Sequence, residues 1–132
     1  MPVPAITPVR FTGRVSDDEL VSWLHAADLT VVPSRSLEGF GLVVLESLAC
    51  GRPVVVTDAG GLPEAVGGLD FDLVVPAGDP SALRTRLVAL ATGALTLPSA
   101  TECRAVAERA EWRDVVARHL PLLAPGDWGG LR

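Results

Sequence analysis

Apolar positions along the chain follow two alternating patterns. Short continuous apolar runs at Leu29-Thr-Val-Val32, Pro53-Val-Val-Val-Thr57 and Asp72-Leu-Val-Val75 read as strands, with an apolar continuity suited to a sheet buried on both faces. Val9-Arg-Phe11, closed by Gly13, is a shorter fourth candidate. Between these runs the apolar period becomes helical. Ser16-Asp-Asp-Glu19 is a capping-box signature and predicts a helix from about Asp17 to Ala26, with Leu20, Val21 and Leu24 as its stripe. A second helix is expected from about Leu42 to Cys50, ended by Gly51 in the C′ position. The loop Asp58-Ala-Gly-Gly61 leads into a short helical turn near Pro63 to Val66.

Asp79 then caps a helix that starts on Pro80 and carries Leu83, Leu87 and Leu90 on its expected buried face. After a loop from Thr92 to Pro98, Ser99-Ala-Thr-Glu102 opens a helix to about Ala110. A last helix follows from about Trp112 to Leu123, and Trp112 is expected to pack it back on the sheet. Strands alternating with helices predict an α/β, Rossmann-like domain with a mainly parallel sheet of about four strands. It is expected over residues 9–123, with a Pro-rich tail at 1–8 and a second tail at 124–132.

Composition narrows the picture. The 132 residues are 48% hydrophobic, with a mean hydropathy of +0.38, enough for one domain with a real core. The net charge of −5 argues against a nucleic-acid partner. All eleven basic residues are Arg, and Lys, Asn, Gln and Tyr are absent, a bias that reads as genomic and not functional. Apolar runs are too short to span a membrane and no signal peptide is visible, so the expected location is cytoplasmic. Cys50 and Cys103 form neither a disulfide framework nor a metal-ligand pattern.

The candidate chemistry lies between the run ending at Val32 and the helix starting at Leu42. That loop holds Gly39 and Gly41 around Phe40. A strand, a glycine loop and a helix N-terminus form an anion site, because the first helical amides lack internal partners and the dipole favours negative charge. Glycines let backbone N–H groups approach the ligand closely. Two carboxylates, Glu38 and Glu46, flank this site with seven residues between them. Carboxylates repel phosphate, so they suit other groups of the same ligand, and sugar hydroxyls fit best. A diphosphate with a hydroxyl-rich ring at each end is a nucleotide sugar.

Glu38-Gly-Phe-Gly-Leu-Val-Val-Leu-Glu46 resembles the E-x7-E motif of the group 1 (family 4) retaining glycosyltransferases of GT-B fold. Phe11-Thr-Gly13, Ala27-Asp28, Pro33-Ser34, Ala49-Cys-Gly-Arg-Pro53 and Gly60-Gly-Leu-Pro-Glu64 match in register, from about Val9 to Leu90. The resemblance implies Glu46 on the donor ribose. It gives Glu38 a catalytic role at the donor sugar, supporting charge at the reacting centre. Phe40, Gly41 and Leu42 would offer amides to the diphosphate, and the Gly60-Gly61 loop would lie near the donor. No metal or other cofactor is implied, the nucleotide sugar being a substrate.

The resemblance covers only the later part of a donor-binding half. It implies a partial GT-B C-terminal domain lacking its first two strands and the basic Arg and Lys pair that contacts diphosphate. An N-terminal acceptor domain is missing, the isolated chain is expected to be inactive, and the full-length enzyme could be membrane-peripheral. In the sheet order 3-2-1-4-5-6, Val9–Phe11 would be strand 3, and Leu29–Val32 would be an uncovered edge. That edge invites re-pairing of Val9–Phe11 or self-association.

Each site residue has a structural alternative. Glu46 could be a solvated helix position, Glu38 a helix-terminal acid, and Gly60 and Gly61 a turn. Ser34 and Arg35 lie close to the site, while Glu64, His25, His119 and Cys50 read as structural. Two further readings are a non-catalytic nucleotide-sugar-binding module acting with a partner chain, and an epimerase-like fragment. The complete E-x7-E spacing favours the transferase.

Overall fold

The computed structural model describes residues 9–36, 38–69 and 71–123. Its elements run α1 (Asp17–Ala26), β1 (Thr30–Val32), α2 (Leu42–Ala49), β2 (Val54–Thr57), α3 (Leu62–Val66), β3 (Val74–Val75), α4 (Pro80–Ala91), α5 (Ala100–Glu108) and α6 (Trp112–Leu123). The three strands form one parallel sheet in the order β1-β2-β3, with Thr30 opposite Val54 and Val56 opposite Val74. Strand–helix–strand connections through α2 and α3 make this the Rossmann-like α/β arrangement expected from the sequence.

All four residues of the central strand β2 are buried. Val54, Val55 and Val56 meet Val44 and Leu48 of α2, Leu62 of α3, Val75 of β3 and Leu73 just before it in one core. A fully buried Leu or Val side chain contributes about 1.5–3 kcal/mol relative to an exposed one. Helix α2 packs on α5, which adds Cys103 and Val106 to this core, while α4 rests on β3. Two polar contacts bind β1 to its neighbours. The Ser47 hydroxyl donates to Thr30 Oγ1 at 2.8 Å, and Thr57 Oγ1 donates to the Ser34 carbonyl at 2.7 Å.

Helix ends follow their caps. Ser99 and Glu102 form the complete reciprocal box at the start of α5, and Asp79 accepts from the amides of Ser81 and Ala82 at 2.9 Å ahead of Pro80. At α1, Ser16 Oγ accepts from the Glu19 amide at 3.3 Å. Gly51 closes α2 with φ 73°, a conformation that favours glycine, and a Cβ there would fall against the Arg104 side chain of α5.

Four expectations change. Val9–Phe11 forms no strand, and Phe11 is 94% exposed. Its partner in the expected order would be strand 2, absent from this sheet, and three residues alone do not offset their ordering cost. Re-pairing against β1 therefore does not occur, and among the described residues the sheet has three strands, not four. Trp112 is 82% exposed and does not pack α6 on the sheet; α6 has no buried residue among those described. In α1 only Leu24 of the expected stripe is buried. Leu83, Leu87 and Leu90 of α4 are half-buried because α4 covers the short outer strand β3. The tails expected at 1–8 and 124–132 lie outside the described residues. No described helix is long and apolar enough to cross a membrane.

Two expected outcomes follow from the α2–α5 face. Burial pushes the Cys103 thiol pKa up, with Glu102 adding to the shift. Cys50 is half-buried. Alkylation of the native protein at pH 8 should label Cys50 and spare Cys103, with both labelled in denaturant; mass mapping reads this directly. Hydrogen bonds from the Ser99 side chain and backbone hold the Glu102 carboxyl below its usual pKa. A folded pKa depressed in this way adds stability above the unfolded value and loses it as pH falls through the folded one. The stability gap between the protein and Glu102→Gln should therefore be present near neutrality and close below the normal carboxylate range, measured by denaturant titration.

Candidate functional site

The loop from Pro33 to Gly41 leaves the carboxyl end of β1 and enters α2. In a parallel sheet this is the side on which ligands bind. Gly41 is the N-cap of α2 with φ 74°, a conformation that favours glycine, and a Cβ there would lie 2.8 Å from Leu62 Cδ2, so another residue would be strained and would have to displace that side chain. A glycine cap has no side chain to bond the first helical amides, and α2 accordingly starts without a side-chain cap. The result is a helix N-terminus presenting N–H groups beside Phe40 and Leu42, which are 59% and 66% exposed.

A second loop supports the first. After β2, Gly60 adopts φ 55°, and the Gly61 amide lies 3.3 Å from the Glu38 carbonyl and 3.2 Å from that of Gly39, donating to both. A Cβ on Gly60 would fall on the Glu38 carbonyl oxygen, and one on Gly61 would lie 2.5 Å from the Gly39 carbonyl oxygen. Gly60 and Gly61 are thus the platform on which the Glu38–Gly39 backbone rests. This is more specific than the turn or the proximity to the donor expected from sequence.

Glu38 is half-buried and its Oε2 accepts from the Ser34 hydroxyl at 2.9 Å. The Ser34 carbonyl is in turn held by buried Thr57 at the end of β2. Sequence reasoning placed Ser34 near the site without a role and did not single out Thr57. The signals were that Pro33-Ser34 belongs to the family resemblance and that Thr57 ends an apolar run. Asp58 Oδ1 accepts from the Ala77 amide at 2.6 Å and joins the loop after β2 to the one after β3.

The structure therefore brings together Glu38, Gly41, Gly60 and Gly61. Glu46 stands apart from that cluster, exposed on the flank of α2 with no side-chain hydrogen bond among the described residues. Arg35 lines a hollow of about 250 Å³ with Pro33, Thr57 and Pro76 at the strand ends. His25 has no part in the site: its carbonyl accepts from Arg52 Nη2 at 2.6 Å.

A parallel α/β sheet with a glycine-capped helix N-terminus and a supporting glycine loop at the carboxyl ends of its strands defines a Rossmann-like domain with a candidate ligand site there. The profile of the family described as "Glycosyl transferases group 1" matches residues 4–93, and the chain belongs to that family. It is 52% identical over 73 residues to a D-inositol 3-phosphate glycosyltransferase of Corynebacterium jeikeium, covering 55% of this chain and 17% of that protein. Its fold is similar to sucrose-phosphate synthase from Thermosynechococcus elongatus, with TM-score 0.69 and 31% identity over 86% of this chain and 29% of that one. HepE of Anabaena, solved in complex with UDP, is similar at TM-score 0.65 and 25% identity, over 77% of this chain and 29% of that one. The chain thus spans less than a third of each of these relatives, and the GT-B resemblance drawn from the motif agrees with the fold they share.

Three glycine variants separate the forces at the loop contact. Gly78→Ala, at φ 74° with open space around it, should cost about 1–2 kcal/mol from backbone strain alone. Gly61→Ala should cost through the clash alone. Gly60→Ala carries both penalties and should be the most destabilising of the three in urea titrations.

Proposed function

We propose that this chain is the donor-binding portion of a retaining glycosyltransferase that takes a nucleotide-diphosphate sugar. The observation that carries this reading is the open N-terminus of α2, set beside a carboxylate that its own fold orients. Amides from Phe40 to Leu42 would receive the diphosphate, and the α2 dipole would favour the charge that grows on it as the glycosidic bond breaks. Glu38, aligned by Ser34, would face the sugar and support positive charge at its anomeric carbon. Ser34 here is a positioning residue.

Glu46 would accept hydrogen bonds from the ribose diol; its freedom from internal partners suits that role. Membership in the group 1 family and the UDP-bound relative support a nucleotide sugar as the ligand. The acceptor half and the missing strands of the sheet would come from outside residues 9–123, with the unpaired edge of β1 as the place where further strands, or a second chain, would add. On this reading the chain binds the nucleotide and does not turn over alone.

Calorimetric titration with UDP and GDP tests it. We expect binding by one of the two, weakened about tenfold or more in Glu46→Ala, the loss of one or two charge-assisted hydrogen bonds. A folded protein that binds neither nucleotide, or a Glu46→Ala variant that binds as well as the parent, would overturn the assignment.

A further inference from the structure

The largest cleft described here, about 670 Å³, lies between the glycine loop and α6. Its volume lies within the range of small-molecule sites. Phe40 and Leu42 form one wall, Trp112 and Val115 of α6 the other, and α3 and α5 contribute Ala65 and Val106. Three of these side chains, Phe40, Leu42 and Trp112, remain largely exposed, so the walls are apolar surfaces without an occupant from the described chain.

The polar groups on this cleft are mainly cationic, although the chain as a whole carries a charge of −5. Arg109 and Arg118 both line it. Arg118 donates from Nε to the Asp114 carbonyl and from Nη2 to the Arg109 carbonyl, each at 3.3 Å, contacts that orient the guanidinium without neutralising it. Arg109 lies over Gly68, where a Cβ would collide with its Nη2, so the glycine makes the space this guanidinium occupies. Neither arginine has a carboxylate within ion-pair distance among the described residues; the pair found there is Arg86–Asp72, on α4, at 2.6 Å. His119 also lines the cleft, and its Nδ1 lies 2.7 Å from the Val115 carbonyl. One carboxylate, Glu64, opposes these groups.

We propose that this cleft binds a single-chain amphiphile, an apolar chain ending in a phosphate monoester. Two guanidiniums without an ion-pair partner among the described residues, against one carboxylate, match the charge of a phosphate better than any neutral head group. The aromatic walls match the apolar chain. The ligand would touch Phe40 and Leu42, so the cleft adjoins the N-terminus of α2. The inference does not depend on what the α2 N-terminus binds.

The test uses the full chain with Trp23→Phe and Trp128→Phe, so that Trp112 is the sole indole, titrated with dodecyl phosphate below its micellar concentration. We expect a saturable change in Trp112 emission. The apparent affinity should fall at least about tenfold in Arg118→Ser, the size of one lost charge-assisted hydrogen bond, with an unchanged far-UV spectrum. Arg118 is exposed, so this variant should fold even if Arg109→Ser disturbs the seat at Gly68. Millimolar inorganic phosphate should give no change, and dodecanol should bind at least tenfold more weakly. An absent or non-saturable response, an affinity indifferent to Arg118→Ser, or equal binding of dodecanol or inorganic phosphate would each overturn the proposal. Titration with UDP or GDP against Glu46→Ala reads the other site, so the two readings fail separately.

Discussion

The contact on which the site depends involves backbone alone. The Gly61 amide reaches the carbonyls of Glu38 and Gly39, and Gly60 clears the space that lets the two loops meet. These loops leave successive parallel strands whose register is set by the pairing of Thr30–Val32 with Val54–Val56. The sheet therefore sets the relative height of the loops, and the glycines let them close. Side chains then add detail: Thr57 holds the Ser34 carbonyl, and Ser34 holds Glu38. A carboxylate at the head of this chain of contacts is aligned before any ligand arrives, which is the kind of preorganisation that electrostatic stabilisation requires.

Helix α2 serves two purposes along one short length. Val44, Ser47 and Leu48 face the core and are buried, while Glu46 on the outer flank stays in water. Its N-terminus is left uncapped by a glycine that no other residue could replace without moving Leu62. A side-chain cap would have stabilised the helix by about 1 kcal/mol. Its absence leaves amides available, so local stability is given up where the ligand would sit.

Much of this was legible in the sequence because it depends on local chemistry. Asp79-Pro80, Ser99 with Glu102, and Gly51 mark helix ends through bonds made within a few residues, and the helices begin and end there. Three apolar runs found their strands for a similar reason, since β2 is buried on both faces as its composition requires. The failures share a cause. Val9–Phe11 and Trp112 carry the patterns of residues that need a partner, but a pattern cannot say whether the partner is present. Among the described residues no strand neighbours β1 on its outer edge, and Trp112 of α6 is left exposed. Glu38 and Glu46 were visible through their spacing. The bond from Ser34 to Glu38 was not, because it depends on how a four-residue stretch of loop curls.

Helix α1 illustrates a last consequence. Leu24 is its one buried side chain, and its C-terminal turn is held by Arg52, which donates to the His25 carbonyl while its own Nε is buried without a partner. Among the described residues, little apolar area and one long-range hydrogen bond bind this element to the sheet-centred core. Elements held this lightly, α1 together with α4 and α6, are where local opening costs least, whereas the fully buried β2 opens with the core. Arg52 lies in the connection between α2 and β2, so its bond to the His25 carbonyl ties α1 to the loop that leaves the far end of the helix presenting the candidate site.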